Sequence, residues 1–339
     1  MSSLNASVKQ SDIPDEQRGG PVLPQPPAKQ ASIAFWKNRS LEAGLILSMG
    51  LYYTVGNPRL AFGILPHLDP LYSLPLLLIF AVLCWYRLPF ALALLPLTFP
   101  YYSLQKVVFS HYAFSLVEIS LVTCLAVAVL RMLLQPEDRQ YLLDWSDLFD
   151  RFGPFLIPML VLAVAAALSI IIAYERTFAL RAFREENFDP VLYVVLICMY
   201  LRARTDIQRL LAAFIGCGAV IAILGLIQYY VFRNTLQVES DGLQRVHTVY
   251  GSANSVGLLF DYVMPLAFAL VLSRVAWKYR LMALLPIALM GYTLSLTYSR
   301  GSWMVAIPIS LVFVIAFALR NRKMLLASAI AVLLVLVLM

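Results

Sequence analysis

The sequence predicts an all-α, polytopic bundle of membrane-spanning helices, and three observations predict it. Of 339 residues, 61% are hydrophobic and only 13% are charged, against about a quarter charged in soluble domains. Mean hydropathy is +0.79. The apolar residues also gather in runs that approach the ~20 residues a bilayer core of ~30 Å asks of a helix. In such a chain a formal charge of +7 is no nucleic-acid signal, because excess Lys and Arg mark cytoplasmic loops.

The elements follow in order. Residues 1–35, with SDIPDEQRGGPVLPQPPAKQ at their heart, are polar and rich in Pro and Gln. They read as a disordered cytoplasmic tail without a secretory signal peptide. Eleven apolar runs come next, at about 41–56, 71–86, 88–104, 112–130, 152–173, 188–201, 207–232, 254–273, 281–299, 302–319 and 324–339. Residues 36–134 hold the first four and read as scaffold helices, and residues 150–339 hold the rest. Between them, Gln135 to Phe152 is weakly amphipathic, either a helix along the membrane surface or a plain connecting loop. Cys84, Cys124, Cys198 and Cys217 all lie inside apolar runs without CxxC spacing, so they read as small packing residues.

With the amino terminus in the cytoplasm and the runs alternating, 18 of the 26 Lys and Arg fall inside and 8 outside. The dense clusters LRARTDIQR, SRVAWKYR and RNRK all fall inside, as the positive-inside rule asks. The outer set, Arg59, Lys106, Arg176, Arg181, Arg184, Arg233, Arg245 and Arg300, runs against that rule. Such cations either snorkel to phospholipid headgroups or serve something outside. An odd number of runs leaves the carboxyl end outside, within the uncapped AIAVLLVLVLM. The expectation is therefore a chain that stops short of its natural end.

Two outer stretches are polar. Thr293, Thr297 and Arg300 recur at i, i+4 and i+7, one face of a helix, with Ser295 and Ser299 beside them. In RVHTVYGSANSVGLLFDYVMP, Asn254, Gly257 and Asp261 share a face, Gly251 marks a turn, and Ser252 or Asn254 suits a helix cap. Two arginines near an outward helix N-terminus make a candidate anion site. Asp261 and Glu118 read first as carboxylates satisfied inside the bundle, and Glu42 as interfacial. His67, His111 and His247 are lone loop histidines without partners at metal spacing. No DxD or HxxE pattern occurs on the outer side, so no metal or other cofactor is implied.

RVHTVYGSANSVGLLFDYVMPLA, followed by LSLTYSRGSW, resembles the O-antigen ligase and O-antigen polymerase superfamily. Its members carry an arginine, a loop ending in an asparagine that opens a helix, and a later T-x-SRG at a helix end. Here those positions are Arg245, Asn254, Thr297, Ser299, Arg300 and Gly301. The upstream LSIIIAYERTFALRAFREENFDPVLYVVLI is similar to the family's outer arginine-bearing segment. The resemblance covers about residues 150–339.

It implies metal-independent glycosyl transfer of the GT-C type at the outer face of a prokaryotic cytoplasmic membrane. The donor would be a glycan on undecaprenyl diphosphate. The acceptor would be lipid A-core, a growing polysaccharide or a protein hydroxyl. Arg300 and Arg245 would be catalytic, absorbing charge on the departing diphosphate. Arg181 or Arg184 would add a third clamp, with Asn254, Thr297 and Ser299 shaping the diphosphate site. The family's histidine base lies in a large outer loop beyond the last run here, so the chain is expected to lack it. A lipid-linked glycan flippase or transporter, and a non-catalytic scaffold, are the competing readings. Against the transporter stands the lack of an inverted repeat or of matched broken helices.

Overall fold

The computed structural model describes residues 28–57, 64–65, 67–102, 104–108, 112–135, 145–239 and 242–319. Helices α1 (Ala28–Thr54), α2 (Leu74–Leu94) and α3 (Leu116–Leu134) come first, with a short hairpin, β1 (Lys106–Val108) and β2 (Tyr112–Phe114), before α3. Helices α4 (Trp145–Phe152), α5 (Leu156–Ile172), α6 (Arg176–Phe183), α7 (Asp189–Tyr200) and α8 (Arg204–Tyr230) follow. A two-residue hairpin, β3 (Gln237–Val238) and β4 (Gln244–Arg245), leads into α9 (Ala253–Leu272), α10 (Trp277–Thr297) and α11 (Ile307–Leu319). Among the described residues the fold is all-α apart from these hairpins and an isolated bridge between Val55 and Ile64. Helix α1 opens at Ala28, inside the stretch read as a tail, while residues 1–27 lie outside the described residues.

Seven described stretches are long and apolar enough to cross a membrane: Leu71–Tyr101, Leu116–Leu134, Phe149–Ile172, Arg204–Tyr230, Ala253–Leu272, Trp277–Thr297 and Gly301–Ala318. Helix α1 is not among them, and neither is α7 with its 12 residues. The expected run at 324–339 lies outside the described residues. Helix α5 buries none of its side chains, and Ile157, Leu162 and Ile172 are mostly exposed on it. An unburied surface of that kind suits lipid rather than water.

The stretch Leu71–Tyr101 contains two of the expected runs and doubles back. Lys106 Nζ donates to Ser73 Oγ at 2.6 Å, although a straight helix over that separation would put them ~50 Å apart. The reversal falls at Arg87, whose backbone leaves helical geometry (φ −139°, ψ 45°), two residues before Pro89. Proline inside a helix lacks an N–H and crowds the preceding turn, so the break is expected there.

Charged side chains gather at two ends of this bundle. At one, Glu42 Oε1 takes Arg87 Nη2 at 2.7 Å and Arg209 Nη2 at 2.9 Å, and Asp147 takes Arg151 and Arg202. At the other, Arg184 pairs with Glu118 at 2.7 Å, Arg181 with Glu185 at 2.8 Å and Arg245 with Glu239 at 2.5 Å. Glu42 is thus a buried junction of two arginines near one end of the bundle. Glu118 is buried in the first turn of α3. Its carboxylate and the Ser115 hydroxyl cap α3 reciprocally, a signature legible in SLVE.

The core has two main clusters. One is built around Leu88, Leu92, Leu121 and the buried Cys84 and Cys124; the other, beneath the polar loops, around Ile221, Val256, Phe260 and Met290. All four cysteines are free, and three are buried. Helix α8 approaches α10 closely at Gly225, where an added Cβ would lie 2.5 Å from Thr293 Cγ2.

Candidate functional site

Helix α10 ends at Thr297 because Tyr298 adopts a left-handed conformation (φ 51°). Arg300 therefore does not continue the face of Thr293 and Thr297. Both threonines are fully buried, and their hydroxyls donate to Ala222 O and Leu294 O. Arg300 instead stands exposed beyond the break, at the head of the π-helical turn Gly301–Ala306 that enters α11. Among the described residues it has no hydrogen-bond or ion-pair partner.

The turn packs onto α9 through Gly257, where an added Cβ would sit 2.5 Å from Ser302 Oγ and 2.7 Å from Ser299 Oγ. Ser299 donates to Ser302, and Ser302 donates to Asp261 Oδ2 at 2.9 Å. The expected face of Asn254, Gly257 and Asp261 is thus used, with Asp261 Oδ2 taken by a serine and Oδ1 left without a hydrogen bond among the described residues.

Arg245 is braced from three sides. Nε donates to Thr297 O at 2.7 Å, Nη1 to Glu239 Oε1 at 2.5 Å, and Nη2 to Asn254 Oδ1 at 2.7 Å. Thr297 O belongs to the last turn of α10, where carbonyls lack helical partners and a cation is favoured. Val246 N donates to Leu296 O alongside. The register of β3 with β4, Gln237 opposite Arg245, brings Glu239 to the same guanidinium.

Gln228, buried at the end of α8, ties the loop down. Its Oε1 accepts from the His247 and Thr248 backbone amides, and its Nε2 donates to Thr235 O. His247 is held too, with Nδ1 2.6 Å from Tyr250 O and Nε2 2.8 Å from Thr235 O. The α9 N-terminus is already occupied: Gln237 Oε1 accepts from Ala253 N, and Ser252 Oγ from Asn254 N. The expected anion site at free helix N–H groups is therefore closed by the chain's own side chains, and the arginines remain.

A cavity of about 660 Å³ opens over these residues, its wall including Glu239, Arg245, Asn254, Ser299, Arg300 and Trp303. That volume lies within the range of small-molecule sites. Two guanidiniums and one carboxylate give the wall a net charge of +1. Of the residues that the family resemblance singled out, Arg245, Asn254, Ser299 and Arg300 share this wall, and Thr297 meets Arg245 through its backbone carbonyl. Arg181 and Arg184 are not on this wall. They pair with Glu185 and Glu118 in a separate cluster, joined by Gln105 at 3.1 Å from Glu185. Sequence reasoning missed Glu239, Gln228 and Gln237. No periodicity marks them, because a hairpin and a helix end join residues that no regular spacing relates. His67 is exposed and off the wall, and His111 lies outside the described residues.

The class that fold and site define is a helical membrane protein with an arginine-bearing polar cavity at one end of its bundle. Compared with known proteins, the chain matches no family model, no curated protein and no solved structure.

Proposed function

We infer that the protein is an integral membrane glycosyltransferase acting at the outer face of the cytoplasmic membrane of a prokaryote. It moves a glycan from an undecaprenyl-diphosphate carrier to lipid A-core, to a growing polysaccharide or to a protein hydroxyl. The observation that carries this reading is the pair of guanidiniums on one cavity wall, Arg245 braced and Arg300 without a partner among the described residues. When the anomeric C–O bond breaks, negative charge grows on the diphosphate. Guanidinium forks match that charge geometrically, and donors fixed in advance stabilise it without reorganising. Arg300, unspent on the fold, is the group free to follow the charge. Tyr298 and Trp303, each about half exposed on the wall, offer flat faces on which sugar rings can stack.

The reading also accords with the family resemblance at Arg245, Asn254 and T-x-SRG. The test is transfer by the purified protein from a lipid-diphosphate glycan to the three acceptor classes. Arg300→Ala is expected to lose at least ~100-fold in rate, the scale set by loss of one oxyanion donor, with its melting temperature unchanged. Undiminished transfer by that variant would overturn the mechanism.

A further inference from the structure

We propose that the turn between α9 and α10 is a docking surface for anionic phospholipid headgroups, held by Arg274, Lys278 and Arg280. This surface lies at the opposite end of α10 from the cavity and is independent of the transferase chemistry. The sequence leaves these cations without acids of their own. After Asp261 the chain carries seven Lys and Arg and not one Asp or Glu.

The fold does not supply the missing carboxylates. At the same end of the bundle, Arg87 and Arg209 are neutralised by Glu42, and Arg151 and Arg202 by Asp147. Helix α8 runs parallel to α10, Gly218 against Met290 and Gly225 against Thr293, so the two helices start side by side. The carboxylate in the first turn of α8, Asp206, is spent on Arg209 at 3.1 Å. Among the described residues, Arg274 and Arg280 have no hydrogen-bond or ion-pair partner. Lys278 only lies over the Tyr279 ring, 5.0 Å from its centre. Arg280 is half-buried, with its Nε shielded and unpaired. A guanidinium withdrawn from water without an acceptor is costly, and a phosphate oxygen at its terminal nitrogens offsets that cost.

The surroundings of the cations have the profile of a membrane interface. Trp277 and Tyr279 are exposed in the first turn of α10, as amphipathic rings are where headgroups meet hydrocarbon. Directly beyond, the exposed side chains are apolar: Leu281, Met282 and Leu285. The boundary between water and lipid therefore falls at the height of the three cations. Helix α10 also starts without a side-chain cap, whereas serines close the starts of α3 and α9. Its free N–H groups add partial positive charge at the same height. Lipid phosphate is the anion resident in that layer, and it accepts from guanidinium, ammonium and backbone N–H alike.

Brominated lipids report which headgroup sits beside Trp277, because bromine quenches indole fluorescence on contact. The measurement uses the full chain in nanodiscs, with Trp36, Trp85, Trp145 and Trp303 changed to Phe so that Trp277 alone emits. Brominated phosphatidylglycerol should be preferred over brominated phosphatidylcholine by at least ~10-fold, given about fivefold in affinity per cation at an anionic surface. Combining Arg274→Gln, Lys278→Gln and Arg280→Gln should abolish the preference, and added salt should weaken it in the parent protein. Native mass spectrometry gives a second readout that keeps every tryptophan. Released from an equal mixture of the two lipids, the triple variant should retain fewer phosphatidylglycerol molecules than wild type and as many phosphatidylcholines. Equal quenching by the two lipids, or a preference that survives the triple substitution in both readouts, overturns the surface. Loss of the preference on adding inorganic phosphate at constant ionic strength would assign the cations to a soluble anion and overturn lipid docking.

Discussion

At the scale of single residues, the two arginines of the motif do different work. Arg245 spends three donors on Thr297, Glu239 and Asn254, so it holds the fold together while it lines the cavity, whereas Arg300 holds nothing among the described residues. Spacing alone placed both near one site but did not divide these roles. The division arises because a left-handed Tyr298 (φ 51°) turns the chain before Arg300, and few residues other than glycine signal such a turn in advance. Gly257 is the sharpest single-residue test of the turn's packing. A Gly257→Ala methyl would crowd the hydroxyls of Ser299 and Ser302. Overpacking of this kind costs about 1–3 kcal/mol, and here it pushes directly on the segment that carries Arg300. The variant should lose more than tenfold in transfer with a melting-temperature drop of only a few degrees, checked by thermal unfolding beside the rate assay.

At the scale of elements, the chain's joints are made by polar side chains that close backbone ends. Ser115 with Glu118 opens α3, Ser252 opens α9, and Gln228 holds the loop between α8 and α9. Caps follow short sequence rules, and SLVE and SAN show two of them. Gln228 follows none, since its partners lie in a loop that only docking brings near.

Lys106 is the most exposing case. Expected as an outer loop cation, it is instead buried, donating to Tyr52 O at 2.6 Å, Val55 O at 2.7 Å and Ser73 Oγ at 2.6 Å. It ties α1, α2 and the first hairpin together with no carboxylate among these partners. Burial lowers its pKa from 10.5 to about 8. The folded protein therefore binds fewer protons here than the unfolded chain between pH 8 and 10.5, so this residue's contribution to stability rises with pH across that window. Compared with Lys106→Met, the wild-type protein should gain stability between pH 8 and 10.5, measured by thermal unfolding in detergent at fixed ionic strength. A flat difference would mean that the ammonium is already fully compensated by its three acceptors.

At the scale of the whole molecule, the alternation of charged loops has a structural counterpart. Each ion pair described above joins residues expected on one side of the membrane: Glu42 with Arg87 and Arg209, Asp147 with Arg151 and Arg202, Glu118 with Arg184. Which end meets the cytoplasm is a matter for labelling. Helix α10, 21 residues long, spans ~30 Å at 1.5 Å per residue, so the exposed Lys278 and Tyr298 mark opposite ends. In a background without the four native cysteines, Tyr298→Cys should react in intact cells with a membrane-impermeant maleimide. Lys278→Cys should react only after the cells are opened. The reverse pattern would place the cavity in the cytosol and remove the outer-face reaction.

The family resemblance led to the expectation that Arg245, Asn254, Ser299 and Arg300 gather; the sequence by itself determined the class of fold and the positions of most helices. Those features follow from hydropathy and from spacing along one chain, which act locally. Only the tertiary structure decided that Lys106 is buried against α1 and α2, that Arg181 and Arg184 stand apart from the cavity, and that Glu239 shares its wall with Arg245. These depend on which helix ends and loops meet in space. Such meetings are set by packing among residues far apart in sequence, which no local pattern records.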